Sequence, residues 1–239
     1  MATTINLLYQ KEYAINEVIK VVIPTVGEIV DNEDDYYNLV SALTAMPIDL
    51  MVQLDDAGID FTSINDWELF LLLFAGLRMQ DTHLIFGDLD LTKFELEQSP
   101  QNNNLILRHS ENGAVIDRAI HGQIAAALRK IHHLTKNRRK PANDEAKEFM
   151  LDRARKKLKR NKNRKEDSQL ESLIIAMVNT EQFKYDYEGA RGLTIYQFNE
   201  SVRQIINKVD YEHRMNGVYA GTVDVKNLSQ DDLNWLVHK

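Results

Sequence analysis

Apolar residues in this chain recur mostly three or four positions apart, the spacing of one face of an α-helix, with two stretches where they alternate instead. The first such stretch, residues 5–23, carries Ile5, Leu7 and Tyr9, then Val18, Val21 and Ile23. It predicts two short strands in a hairpin that turns near Gln10–Lys11 or near Ile15–Glu17. Pro24 closes the second strand, and Thr25 with Glu28 three residues on predicts a capping box that opens a short helix. A helical block follows. Asp34 and Asp35 precede Tyr36, Leu39, Val40 and Leu43, which puts acids in a first turn, where the helix dipole favours them. Pro47 fits a first helical position, and Gly58 fits the stop of the helix carrying Leu50, Met51 and Leu54. In DWELFLLLFAGL, Trp67, Phe70, Leu71, Phe74 and Leu77 form a stripe that Leu69, Leu72 and Leu73 widen almost all round. A helix apolar on most sides predicts the centre of its domain.

The second alternating stretch lies in residues 84–117. DLTKFELEQ and NLILRH read as strands, and Asn112–Gly113 is a hairpin turn signal, so a small antiparallel sheet is expected that the N-terminal strands could join. Ile120, Ile124, Leu128 and Ile131 restore the helical period from Arg118 to His133. KNRRKP, residues 136–141, reads as a linker, because Pro141 disfavours helix at Lys140. Asn143 or Asp144 then caps a helix with Phe149, Met150, Ala154 and Leu158; from Lys159 to Asp167 there is no apolar residue, so that end is expected to be a solvated arm. Further on, Ser168–Glu171 and Thr194–Gln197 are capping boxes, the second with Leu193 and Phe198 as a staple, and a similar start recurs at Ser229. The expected fold is α+β and predominantly α-helical, with a small antiparallel sheet in the N-terminal half and a helical C-terminal unit. Its expected division is a mixed part, 1–135, a basic linker and helix, 136–167, and the helical unit, 168–239.

Composition adds the compartment. The 239 residues are 44% hydrophobic and 27% charged, with four Pro, ten Gly and no Cys, which fits a soluble protein of a reducing compartment. MATTINLLYQKEY lacks the basic and apolar regions of a secretory signal, and the longest apolar run, Leu69 to Leu77, is far short of the ~20 residues a membrane span needs.

Charge changes the picture more. Sixteen of the 29 Lys and Arg fall between Arg129 and Lys165, against four acids. That segment carries about +12, residues 1–128 about −14 and residues 166–239 about −5. Such polarity points to binding, and the candidate partner-binding residues are Arg153, Lys156, Lys157, Lys159, Arg160, Lys162, Arg164 and Lys165. The arm offers phosphate contacts but no aromatic for base stacking. Nucleic acid, an acidic protein partner, the chain's own acidic half and plain solvation all remain open for it. Aromatics cluster in FKYDYEGARGLTIYQF, where Tyr185, Tyr187 and Tyr196 are candidate interface residues, and where Phe183 and Phe198 equally suit a small core.

Catalytic chemistry finds little support. His132 and His133 are adjacent on a helix and point about 100° apart, so they cannot share one ion, and HExxH, GxSxG, GxxxxGK[ST] and GxGxxG do not occur. Asp88 and Asp90 in FGDLDL would share one strand face near His83, and read better as solvent-facing acids than as a Mg²⁺ site. No catalytic residue, metal ligand or cofactor is expected.

Two stretches carry a resemblance. INDWELFLLLFAGL (64–77), preceded by the acidic Tyr36–Tyr37 helix and Gly58–Ile59–Asp60, resembles the core of small proteins from tail modules of long-tailed bacteriophages. YEGARGLTIYQFNESVRQI (187–205) and GVYAGTVDVKNLSQDDLNWL (217–236) look like proteins of phages and prophages of Gram-positive bacteria. The nearest group is the tail assembly chaperones. The resemblance implies a non-enzymatic factor that binds the tape measure protein, recruits tail tube subunits and is absent from the finished particle, working in the host bacterial cytoplasm without a membrane. The long basic segment is a departure from the smaller chaperones. It keeps two alternatives in view: a phage nucleic-acid-binding or packaging accessory protein using residues 129–165, and a minor virion structural protein.

Overall fold

The structure is a computed structural model that describes residues 7–161 and 168–236. Among these residues are ten α-helices and two small antiparallel sheets, a predominantly helical α+β fold. The N-terminal hairpin pairs β1 (Glu12–Ala14) with β2 (Lys20–Val22), Tyr13 facing Val21. Of the two expected turns the chain uses the second. Ile15 and Asn16 N–H donate to the Ile19 carbonyl, and Asn16 Oδ1 accepts from the Val18 and Ile19 amides, a side chain standing in for a turn's backbone. Leu7–Tyr9 is a 3₁₀ turn instead of strand.

Capping residues set the helix starts. Thr25 N–H donates to Glu28 Oε2 at 2.7 Å and Glu28 N–H to Thr25 Oγ1 at 3.3 Å, which opens α1 (Val26–Val30). The acids Glu33, Asp34 and Asp35 occupy the first turn of α2 (Glu33–Thr44). Pro47 starts a 3₁₀ turn that runs into α3 (Met51–Asp56), and Gly58, at φ +73°, takes the left-handed conformation that ends it. Asn65 caps α4 (Asp66–Leu77).

The position of α4 differs from expectation. Trp67, Phe70, Phe74 and Leu77 enter the large core, whereas Leu69 joins a second cluster with Ile48, Leu54 and Phe61. Leu72 is 53% exposed. The helix is a wall between two apolar clusters with a third side in water, and its all-round hydrophobicity reflects two packing faces.

Past α5 (His83–Phe86), β3 (Phe94–Gln98), β4 (Leu105–His109) and β5 (Val115–Ile116) form the sheet in that order. Gly113, at φ +70°, makes the expected turn. The N-terminal strands stay apart from this sheet, because β2 packs on α5 and on α6 (Arg118–His132). Asp88 and Asp90 do not lie on a strand. They precede β3 in a turn, and Asp90 Oδ1 accepts the Thr92 N–H at 2.8 Å, capping the 3₁₀ turn Leu91–Lys93.

After α7 (Asp144–Asn161) come α8 (Gln169–Val178), α9 (Tyr187–Gly192) and α10 (Ile195–Tyr219). Their apolar residues are not a separate core: Leu170, Ile174, Met177, Ala190, Ile195 and Phe198 belong to the same cluster as Ile19, Val21 and Leu39. Two backbone bonds tie the start of α1 to the start of α10. Val26 N–H donates to the Leu193 carbonyl and Ile195 N–H to that of Pro24, each at 2.8 Å, so the capping threonines Thr25 and Thr194 sit side by side. α1 and α9 approach so closely that a Cβ on Gly27 would stand 3.3 Å from the Arg191 backbone oxygen. Glu33 of α2 accepts the Leu170 N–H at 3.1 Å and the Ser168 hydroxyl, adding a carboxylate from across the core to the start of α8. Beyond Phe198 no described residue is buried.

Candidate interaction surface

The basic segment is divided by how its cations are used. α7 is 18 residues, about 27 Å at 1.5 Å per residue, and buries no side chain completely. Its inner face is half-buried: Met150 and Leu151 pack on the second apolar cluster beside α3. Around that apolar strip the helix pairs with acids of the N-terminal half. Lys147 reaches Asp60 at 2.8 Å, and Arg155 reaches Asp55 at 2.6 Å and Asp56 at 2.7 Å. The Lys147 hydrogen bond, helped by the Thr62 amide and hydroxyl, holds the Asp60 carboxyl down at about 2, and the Lys147 ammonium is raised in turn. Exposed pairs of this kind are screened by solvent and contribute little to stability, so their main effect is orientation: they fix which face of α7 points inward.

The outer face is set by the same helical period. Phe149, Arg153, Lys156 and Arg160 stand at i, i+4, i+7 and i+11, one stripe along the solvent side. Phe149 is 66% exposed within it. Lys156 pairs with Asp152 on its own helix at 2.6 Å, whereas Arg153, Lys157, Lys159 and Arg160 make no ion pair among the described residues. Lys162, Arg164 and Lys165 lie outside the described residues. Of the expected binding residues, five are therefore brought together on one solvent-facing cationic helix.

The linker, residues 134–143, is neither helix nor strand, and it is anchored. Lys136 Nζ meets Asp66 Oδ2 at 2.7 Å and Asn137 Nδ2 donates to Asp49 Oδ1 at 2.8 Å. Burial raises the Asp66 carboxyl, but the Lys136 bond and charge outweigh it and the net shift is downward. Arg129, at the end of α6, turns inward to donate to the Thr44 carbonyl. Four cations of the basic segment (Arg129, Lys136, Lys147 and Arg155) thus serve the fold, a partition by contact that sequence charge does not display.

The candidate aromatics separate. Phe183 and Phe198 are core, and Tyr185 and Tyr187 are 46% and 50% exposed at the start of α9. Tyr196 is half-buried and stacks on His133, ring centres 5.7 Å apart, near Glu200. His132 is half-buried and hydrogen-bonds Tyr36 Oη at 2.9 Å, and His121 is buried and stacks on Phe70 at 4.4 Å; desolvation holds both imidazoles down at about 4. Among the described residues no group of three His, Cys, Asp or Glu is placed to hold a metal ion, and no helix is long and apolar enough to cross a membrane.

Residues 160–238 match the family model described as the YomV second domain. The match spans 79 of the 239 residues and points to a phage-derived protein family for that third of the chain. No curated protein and no solved structure matches.

Proposed function

We propose that this chain is a non-enzymatic phage assembly factor of the tail-assembly-chaperone kind, binding the tape measure or tail tube protein in the host cytoplasm through its cationic helix face. The observation that carries this reading is the two-sidedness of α7: one face is docked on acids of the same chain, and the other presents Arg153, Lys157, Lys159 and Arg160 around exposed Phe149. The phage-derived family match over the C-terminal third supports the biological setting. A fixed cationic face steers an acidic partner and sets its register, and an apolar residue within it adds contact that phosphate recognition alone does not require.

Co-purification with the tape measure protein of the same tail module tests the reading. Wild type is expected to retain it at low salt, and Arg153→Glu/Lys157→Glu/Lys159→Glu/Arg160→Glu to lose on the order of tenfold or more in affinity. Retention unchanged by the four reversals would remove the cationic face from the account.

A further inference from the structure

Beside the N-terminal end of α7 lies an open groove of about 380 Å³. Its floor is apolar, made of Met46, Pro47, Ile48, Phe61 and Ile64. Along one side runs the anchored linker, whose Arg138, Arg139 and Lys140 line the groove and make no ion pair among the described residues. The two acids on the lining are Asp66, matched by Lys136, and Asp144 in the first turn of α7. The side chains left unmatched are therefore mainly cationic, over a hydrophobic base.

From this juxtaposition we infer that the groove is a docking site for an acidic peptide segment of a partner protein, one that inserts an apolar anchor between flanking carboxylates. The inference rests on the reading that the chain works by protein contact, and names the chemistry of what it contacts. Charge complementarity selects acids for the Arg138–Lys140 side, where guanidinium groups bind carboxylates in paired hydrogen bonds. The floor selects against nucleic acid. Phe61 is buried and Lys147 lies over its ring at 5.7 Å, so it offers no free face for a base to stack on. An aliphatic or aromatic side chain, by contrast, gains by covering Met46 and Ile64, which are half-buried. The stretches of this sequence outside the described residues, MATTIN, KNRKED and VHK, contain no acidic segment with an apolar anchor.

Fluorescence anisotropy with a labelled peptide of Glu and Asp carrying one Leu and one Phe tests this directly. An equally charged peptide with Ser at those two places and single-stranded DNA of matched charge are the comparisons. The full-length chain is expected to bind the anchored peptide on the order of tenfold tighter than either comparison. Arg138→Glu/Arg139→Glu/Lys140→Glu, in an exposed linker, should lose at least about tenfold, while Lys11→Glu/Lys226→Glu, at exposed lysines on neither the groove nor α7, should change it by less than about threefold. Equal binding of anchored and anchor-free peptides, tightest binding to DNA, or indifference to the linker triple would each overturn the groove. None of these touches tape measure capture by wild type and the α7 variant, so failure of the groove and failure of the broader reading remain distinguishable.

Discussion

Two histidines make acid sensitivity a property of individual residues. His121 is buried beside Phe70 and His132 half-buried beside Tyr36, and desolvation holds each imidazole down at about 4. An unfolded chain protonates them near the ordinary 6.5, so between 6.5 and 4 it binds protons that the folded chain refuses. The stability tied to these groups is complete above pH 6.5, falls as the pH drops toward 4, and is lost below that. Each is worth on the order of 2–3 kcal/mol over that window. Urea unfolding at a series of pH values should show this decline, and His121→Phe, which keeps the ring stack but carries no titrating group, should make it shallower. An unchanged slope in that variant would assign the acid response to other groups. At the surface the same reasoning gives less: Asp60 is held low by Lys147, but its exposure leaves it a marker of orientation.

At the scale of elements, local chemistry was legible where local chemistry decides. Thr25 with Glu28, Thr194 with Gln197, and Gly113 at its turn each act within a few residues, and each could be read from the chain. What could not be read depends on residues far apart in sequence. The Thr25–Thr194 bridge, Glu33 at the start of α8, and the separation of the two sheets arise when the larger core gathers elements distant in sequence. The all-round hydrophobicity of α4 signalled burial correctly but could not say that two clusters share it while Leu72 stays wet. The groove was hidden for the same reason: KNRRKP read as a linker, and nothing in it names Met46 or Phe61 as its neighbours. Met150→Asp/Leu151→Asp removes the apolar strip that docks α7, and solvent-screened surface ion pairs cannot hold it alone. Amide exchange across 144–161 should accelerate while that of α4 and α6 is unchanged. Retained protection of α7 would mean that the ion pairs, and not Met150 and Leu151, hold the helix in place.

The whole molecule is a charge-separated body in which part of the separation is neutralised internally. Asp49, Asp55, Asp56, Asp60 and Asp66 receive the linker and the inner face of α7 through Lys136, Asn137, Lys147 and Arg155. The remaining cations, on the outer face and along the linker, are what another molecule meets. The central claim is that this remainder recognises protein. The most direct measurement compares affinity for the tape measure protein and for generic duplex DNA across about 50–200 mM salt. The account predicts that binding to the protein survives at the upper end, because apolar contact at Phe149 and in the groove adds to charge, and that DNA binding is weak and fades steeply. Tight DNA binding with no measurable tape measure affinity would contradict it.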